Sequence, residues 1–142
     1  MKIAVIDAQG GGLGKVIVER IKQKLPRAEV IALGTNVIAT NAMLKAGADK
    51  AATGENAIVF SVRDVDAIIG GIGIVAANSM MGEISPKIAE AISSSYAVKV
   101  LIPIGKCHMF IPGSDSYTIH ELIDMGISHI TQCLSNSQKG SE

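Results

Sequence analysis

The sequence predicts an α/β protein, a three-layer α/β/α sandwich with a mostly parallel sheet of about five strands. Short apolar runs alternate along the 142 residues with segments of helical spacing, which is typical of repeated β-α-β units. Hydrophobic residues make up 48% of the chain and aromatic residues only 3%, so aliphatic side chains must fill the core, as in parallel sheets buried on both faces. The length fits a single domain, which we expect to span residues 1–134.

The first half of the domain begins with a buried strand at residues 3–6. Glycines within 10–14 turn the chain, and apolar residues then recur at helical spacing as far as Pro26. A second strand at 29–33 leads to a second helix at 37–46, which the following glycine ends. Each unit therefore has the order of strand, loop and helix that a parallel sheet requires.

A third, weaker strand at 48–53 precedes a short helix that ends near Val62. That helix contains Ala57-Ile58-Val59-Phe60 and is apolar around most of its circumference. Such a helix must be buried both by the sheet of its own chain and by a second surface, so we expect it to form a subunit interface. The protein is therefore predicted to be a homodimer or a higher homo-oligomer.

Two more strands follow in the second half of the domain. A fourth strand at 66–70 leads into an irregular, glycine-containing stretch at 71–83. Ser85 and Pro86 then provide the cap and the first residue of a fourth helix. The fifth strand lies at 98–103 and ends before a long loop.

The last helical segment starts at Ile119, and its apolar residues keep helical spacing as far as Leu134. It forms either one helix or two that separate at Gly126. Residues 135–142 contain almost no apolar side chain, so we expect a disordered tail.

Charge and cysteine content exclude several classes of function. Thirteen basic and thirteen acidic residues give zero net charge, so no basic surface is expected for a nucleic acid or an anionic membrane. The first apolar run is too short for a signal peptide or a membrane span, and we expect a cytoplasmic protein without such partners. The two cysteines cannot form a disulfide framework, and no His or Cys spacing fits a metal site, so no metal is predicted.

The loop after the first strand is the strongest candidate for a ligand site, because ligands bind at the carboxyl ends of strands in open parallel sheets. It contains four glycines in the stretch Asp7-Ala8-Gln9-Gly10-Gly11-Gly12-Leu13-Gly14-Lys15. Glycines expose backbone N–H groups, and the positive end of the next helix faces them, so the loop favours an anion such as phosphate. The alternative is a tight turn whose glycines only allow close packing.

Two nucleotide-binding motifs match this loop in part. In the dinucleotide fingerprint of Rossmann-like sheets, Gly12 takes the place of the third glycine, but Asp7 and Gln9 stand where the first two belong. The acidic residue expected about 20 residues later, at the end of the second strand, is absent. In a Walker-type P-loop, Gln9 would replace the first glycine and Val16 the magnesium-binding hydroxyl, so no NTPase activity is expected.

The ends of the other strands carry further candidates. Glycines follow the fourth strand, Asn78 lies beyond them, and Lys106 follows the fifth strand. Asp7 either caps the exposed amides or contacts a ligand, and no catalytic residue can be assigned. The candidate ligand-contacting residues are Asp7, Gln9, Gly10, Gly11, Gly12, Leu13, Gly14, Gly34, Thr35, Asn36, Gly70, Gly71, Gly73, Asn78 and Lys106.

Three segments resemble those of a short bacterial protein family of unknown function with a Rossmann-like α/β fold. They are the opening Lys2-Ile3-Ala4-Val5-Ile6-Asp7-Ala8-Gln9-Gly10-Gly11-Gly12, the stretch Asn78-Ser79-Met80-Met81-Gly82-Glu83, and Pro112-Gly113. The resemblance covers nearly the whole chain and implies no activity.

We therefore expect a small protein that binds a nucleotide or another phosphorylated metabolite. The sequence does not identify a cofactor, and NAD(P) or another nucleotide is a candidate. One alternative is a small dinucleotide-dependent oxidoreductase or transferase. The other is a homo-oligomeric structural protein without a ligand.

Overall fold

The protein forms a five-stranded parallel sheet with helices on both faces. The computed structural model describes residues 1–104 and 108–139. In chain order the elements are β1 (Lys2–Asp7), α1 (Gly12–Lys24), β2 (Glu29–Gly34), α2 (Val37–Lys45), β3 (Lys50–Thr53), α3 (Glu55–Ser61), β4 (Ala67–Gly71), α4 (Pro86–Ser94), β5 (Val98–Ile102) and α5 (Ile119–Lys139). Short 3-10 turns lie at Ile72–Val75 and Ser114–Ser116. The predicted α/β/α sandwich of about five strands is confirmed.

The strand order is β3-β2-β1-β4-β5, and all neighbouring strands are parallel. Val5 of the central strand lies beside Ala32 of β2 and Ile69 of β4. The first two crossovers move outward on one side of β1, and the chain then returns to the other side at β4. The order therefore reverses between β1 and β4, which is where open α/β sheets bind their ligands.

The core has two halves because successive residues of a strand point to opposite faces. Ile3 and Val5 pack in a cluster with residues of α1 and α5, whereas Ala4 and Ile6 pack with residues of α3 and α4. All four are completely buried. No helix in the described part of the chain is long and apolar enough to cross a membrane.

The chain itself buries one face of α3 and leaves another face uncovered. Ile58 is completely buried within the chain's own core, and Val62, just after the helix, lies beside it. Phe60 points outward and is 64% exposed. The helix has only seven residues, and Ile58 is its one buried side chain.

The C-terminal segment forms one helix, which is one of the two alternatives left open by the sequence, but its tail differs from the prediction. The helix α5 is continuous through Gly126, and it extends to Lys139, so residues 135–139 are helical where a disordered tail was expected. Adding polar residues to an existing helix costs little, because the nucleus is already formed by the buried turns around Ile127 and Ile130. Residues 140–142 of the expected tail lie outside the described residues.

We predict that Gly126→Ala destabilises the fold by about 1–3 kcal/mol, because α5 packs directly on β5 at this point. A Cβ at residue 126 would lie 2.5 Å from Cγ1 of Val100, whose branched side chain has little freedom to move. Urea denaturation measures the loss. The second substitution Val100→Ala removes that methyl group and should make Gly126→Ala nearly neutral in its presence, and equal costs in both backgrounds would contradict this packing.

Candidate functional site

A cleft of about 830 Å³ opens at the carboxyl ends of β1, β4 and β5. Its lining comes from the loop after β1 (residues 7–13), from the segment after β4 (within 71–81), and from Ile104 and His108 beyond β5. The cleft therefore lies at the point where the strand order reverses. Its volume is in the range of sites for small ligands.

The glycines of the loop after β1 have two different functions. A Cβ at Gly11 would lie 2.8 Å from Cα of Ala39, and one at Gly14 would lie 2.6 Å from the sulfur of Met43, so these two glycines allow α1 and α2 to approach closely. Gly11 also has a φ of 73°, which favours glycine. A Cβ at Gly10 or Gly12 would meet nothing within 4 Å. These two glycines have open space beside them and line the cleft.

Asp7 caps the turn between β1 and α1. Its Oδ1 accepts a hydrogen bond from the Ala8 N–H at 2.8 Å, and its Oδ2 accepts one from the Gly14 N–H at 2.6 Å. Burial raises the pKa of Asp7; the bonds from Gly14 and Ala8 oppose this rise, and the charge of Glu83 adds to it. Of the two roles left open by the sequence, the structure shows the capping role.

Three N–H groups of this loop have no acceptor in residues 1–104 and 108–139. Among the described residues, the N–H groups of Gly10, Gly12 and Leu13 donate to none, whereas those of Gln9, Gly11 and Gly14 are all bonded. Gly12 and Leu13 are the first two residues of α1, so their N–H groups lie at the positive end of the helix dipole. This end of the cleft is therefore suited to an anion.

Glu83 is a central residue of this region that the sequence analysis did not select. Its Oε1 accepts hydrogen bonds from the Gln9 N–H at 3.0 Å, the Thr35 hydroxyl at 2.7 Å and the Asn36 amide at 2.8 Å. Burial opposes the charge of Glu83, but these three bonds prevail and hold the pKa of its carboxyl below the ordinary value. The only signal in the sequence was its place at the end of the Asn78–Glu83 stretch.

The end of β2 lies beside the loop but does not line the cleft. Thr35 and Asn36 bind Glu83, and Asn36 also caps α2 by accepting a bond from the Ala39 N–H at 2.9 Å. A Cβ at Gly34 would lie 2.7 Å from the Thr40 nitrogen, so that glycine serves packing. All three predicted contact residues of β2 are thus engaged within the protein.

Of the predicted ligand contacts after β4, three line the cleft and one serves packing between strands. Gly71, Gly73 and Asn78 line the cleft. A Cβ at Gly70 would lie 2.7 Å from the carbonyl oxygen of Ile6, so Gly70 allows β4 to pack against β1. Lys106 lies outside the described residues.

The backbone around the cleft is strained. Five non-glycine residues in the described part of the chain have positive φ, between 52° and 66°, and each of them lines the cleft: Gln9, Asn78, Met80, Met81 and His108. Such conformations cost about 1–3 kcal/mol each and cluster at functional sites. Within the described ranges, no three His, Cys, Asp or Glu side chains lie close enough together to hold a metal ion.

Strand order, parallel pairing and a cleft at the reversal point define an open α/β protein of the Rossmann type. The family whose model matches residues 2–135 is described as a domain of unknown function, DUF3842. The chain belongs to this family. A comparison with curated proteins found no match.

One solved structure that is similar to this chain is a dodecameric FMN-dependent UbiX-like decarboxylase from Escherichia coli O157:H7. The sequences are 14% identical, the alignment covers 95% of this chain and 94% of that one, and the TM-score is 0.42. At this identity the similarity does not extend to function.

We predict that Asp7→Ala destabilises the protein by about 1–3 kcal/mol, because it leaves the Ala8 and Gly14 N–H groups without acceptors. The matched control is Asp115→Ala, which removes an exposed carboxylate and should change stability by less than about 0.5 kcal/mol. Urea denaturation of both variants measures the difference. Similar small losses in the two would show that Asp7 is not a structural cap.

A second prediction concerns the pH dependence of stability. Because the folded-state pKa of Glu83 is lowered, its ionised form stabilises the fold at pH values above the ordinary 4.5, and this contribution is lost as the pH falls through the lowered value. The stability difference between the wild type and Glu83→Gln should therefore shrink as the pH falls below 4.5. Denaturation at several pH values tests this, with the exposed Glu90→Gln as control. A difference that stays constant with pH would contradict it.

Proposed function

We propose that the protein binds a small phosphorylated ligand, a nucleotide or another phosphometabolite, in the cleft at the end of β1. The observation that carries the proposal is the set of N–H groups on Gly10, Gly12 and Leu13, which have no acceptor among the described residues. Bare glycine at positions 10 and 12 lets a phosphate reach these groups without meeting a side chain.

The charge distribution supports an anion at this end of the cleft. Asp7 would oppose one, but both of its oxygens are bonded to N–H groups and it is only 7% exposed. The dipole of the thirteen-residue α1 favours negative charge at Gly12. Asn78 lines the cleft from the opposite side and offers an amide for the rest of the ligand.

The alternative of a dinucleotide-dependent oxidoreductase or transferase uses the same cleft but needs a reactive group. Asp7 lies at the cleft, but both of its carboxylate oxygens are engaged in the helix cap. His108 lies at the rim, exposed. These observations favour ligand binding over catalysis.

We also propose that the protein associates with copies of itself through the surface of α3 and α4. Phe60 is 64% exposed there, Tyr96 is fully exposed, and Arg63 stacks on the Phe60 ring at 5.0 Å from its centroid. Exposed aromatic rings beside an arginine are typical of protein interfaces.

Light scattering tests the association. Phe60→Glu should lower the measured mass if this surface is the interface, whereas Phe110→Glu, at an exposed ring elsewhere, should leave it unchanged. Ile58 is not a suitable position, because it is buried in the core and its substitution would unfold the chain. A wild-type mass equal to the 14.7 kDa monomer would contradict the proposal.

The test of ligand binding uses a graded series at position 12. Because a Cβ there meets nothing within 4 Å, Gly12→Ala and Gly12→Val should fold as well as the wild type, while their side chains fill the space of the bound phosphate. Thermal shift with AMP, ADP, NAD and pyrophosphate should show stabilisation of about 2.7 kcal/mol for a ligand present at 100 times its Kd. That shift should decrease from Gly12 to Ala to Val.

Ser93→Val provides the control, since it adds a branched side chain on the exposed surface of α4, away from the cleft. Its ligand-induced shift should equal that of the wild type. If the Gly12→Val variant responds as strongly as this control, the phosphate site lies elsewhere.

A further inference from the structure

In sheets of this strand order, a dinucleotide extends from the glycine loop toward the end of β2, where an acidic residue binds the adenosine ribose. In this chain the end of β2 is Gly34-Thr35-Asn36 and has no acidic residue. The carboxylate found at that place belongs instead to Glu83, which comes from the segment between β4 and α4.

Glu83 joins three parts of the chain above the sheet. Its single Oε1 atom accepts bonds from the loop after β1, from the end of β2 and from the cap of α2, through Gln9, Thr35 and Asn36. The Asn36 amide also donates to the Gln9 carbonyl oxygen at 3.0 Å. The Thr35 hydroxyl, the Asn36 amide and Oε1 of Glu83 are therefore already paired with one another at the end of β2.

The residues that line the cleft are consistent with a cleft that ends at Glu83 on the β2 side. Its described lining includes residues on the β1, β4 and β5 side, but it includes none of residues 34–36. The bonds to Glu83 thus mark the edge of the cleft on the β2 side. Among the described residues, the cleft beside the glycine loop extends toward β4 and β5.

The segment that carries Glu83 is internally bonded. The Asn78 N–H donates to the Ile84 carbonyl at 2.7 Å, and the Gly82 N–H donates to the Asn78 carbonyl at 3.2 Å. The Ser79 hydroxyl donates to the Gly73 carbonyl at 2.5 Å and ties the segment to the turn after β4. Glu83 is therefore held at the end of β2 by its own bonds to Thr35 and Asn36 and by the bonds inside its segment.

The negative charge of Glu83 opposes a larger phosphorylated ligand on the β2 side, as does the shape of the cleft. The pKa of the Glu83 carboxyl lies below its ordinary value, so this group is negatively charged at neutral pH. A dinucleotide that extended past Gln9 toward β2 would bring its negatively charged pyrophosphate closer to this partly buried carboxylate. A ligand with one phosphorylated end avoids this contact.

We propose that Glu83 determines ligand size by closing the β2 side of the cleft, so that the cleft accepts a mononucleotide or another singly phosphorylated compound and excludes dinucleotides. This inference rests on the proposed phosphate binding at Gly10, Gly12 and Leu13. It adds the class of ligand and the residue that selects it.

Titration calorimetry tests the proposal with dinucleotides and their own halves. NAD is compared with nicotinamide mononucleotide and AMP, and FAD with FMN and AMP. In the wild type, at least one half should bind about tenfold or more tightly than the dinucleotide that contains it, a difference of about 1.4 kcal/mol. Inorganic phosphate and pyrophosphate are titrated alongside.

Variants at position 83 then assign the effect. Glu83→Ala opens the β2 side and should bring the two affinities together, whereas Glu83→Gln keeps the shape and removes only the charge, so it should recover part of the dinucleotide affinity. Glu90→Ala removes an exposed carboxylate on α4 and should leave the ratio unchanged. An unchanged ratio in Glu83→Ala would overturn the role of Glu83.

The outcomes separate the two proposals. A wild-type protein that binds NAD or FAD as tightly as their halves would overturn the size selection and leave phosphate binding intact. A protein that binds none of the nucleotides, phosphate or pyrophosphate would overturn both. The wild-type comparison does not depend on any variant folding, so it decides the matter even if Glu83→Ala is unstable.

Discussion

The hydrogen bonds of the Asp7 carboxylate define the junction between β1 and α1, and the geometry of the cleft depends on them. By accepting from Ala8 and Gly14, the carboxylate holds the intervening glycines in a single turn. It satisfies one N–H at the start of α1 and leaves those of Gly12 and Leu13 for another acceptor. A buried charge at this place is costly, and the raised pKa of Asp7 reflects that cost.

The neighbouring glycines follow from the same constraint. With the turn fixed, α1 starts close to α2, and only glycine fits at positions 11 and 14, where a Cβ would meet Ala39 or Met43. Positions 10 and 12 point away from that contact and have free space. Packing therefore explains Gly11 and Gly14. Gly10 and Gly12 are the two glycines that would leave space for a bound ligand.

Glu83 extends this arrangement across the sheet. It brings the segment after β4 onto the loop after β1 and the end of β2, although the two strands it joins are separated by β1. The segment contains Asn78, Met80 and Met81 at positive φ, which costs conformational energy. Charge-assisted hydrogen bonds to an ionised carboxylate are strong enough to offset part of that cost. The Glu83 carboxylate therefore lies at the edge of the cleft and holds the segment whose backbone is strained.

Hydrophobic periodicity by itself determined the fold class, the five strands and the first four helices, because burial on the faces of a parallel sheet leaves a direct pattern in the sequence. It also located the loop that we propose as the ligand site, since a cluster of glycines after the first strand is visible in the local sequence. Properties that depend on neighbouring segments could not be predicted in this way. The exposure of Phe60 and the helical residues 135–139 depend on which side chains of α3 and α5 the sheet buries.

The division of the glycines and the role of Glu83 were decided only by tertiary structure. Gly11 and Gly14 differ from Gly10 and Gly12 only in what lies across from them, and those residues are on another helix. Glu83 contacts Thr35 and Asn36, 48 and 47 residues earlier in the chain. A carboxylate on an irregular segment has no periodic signal, so its partners become visible only when the crossover from β3 to β4 brings both segments to the same edge of the sheet.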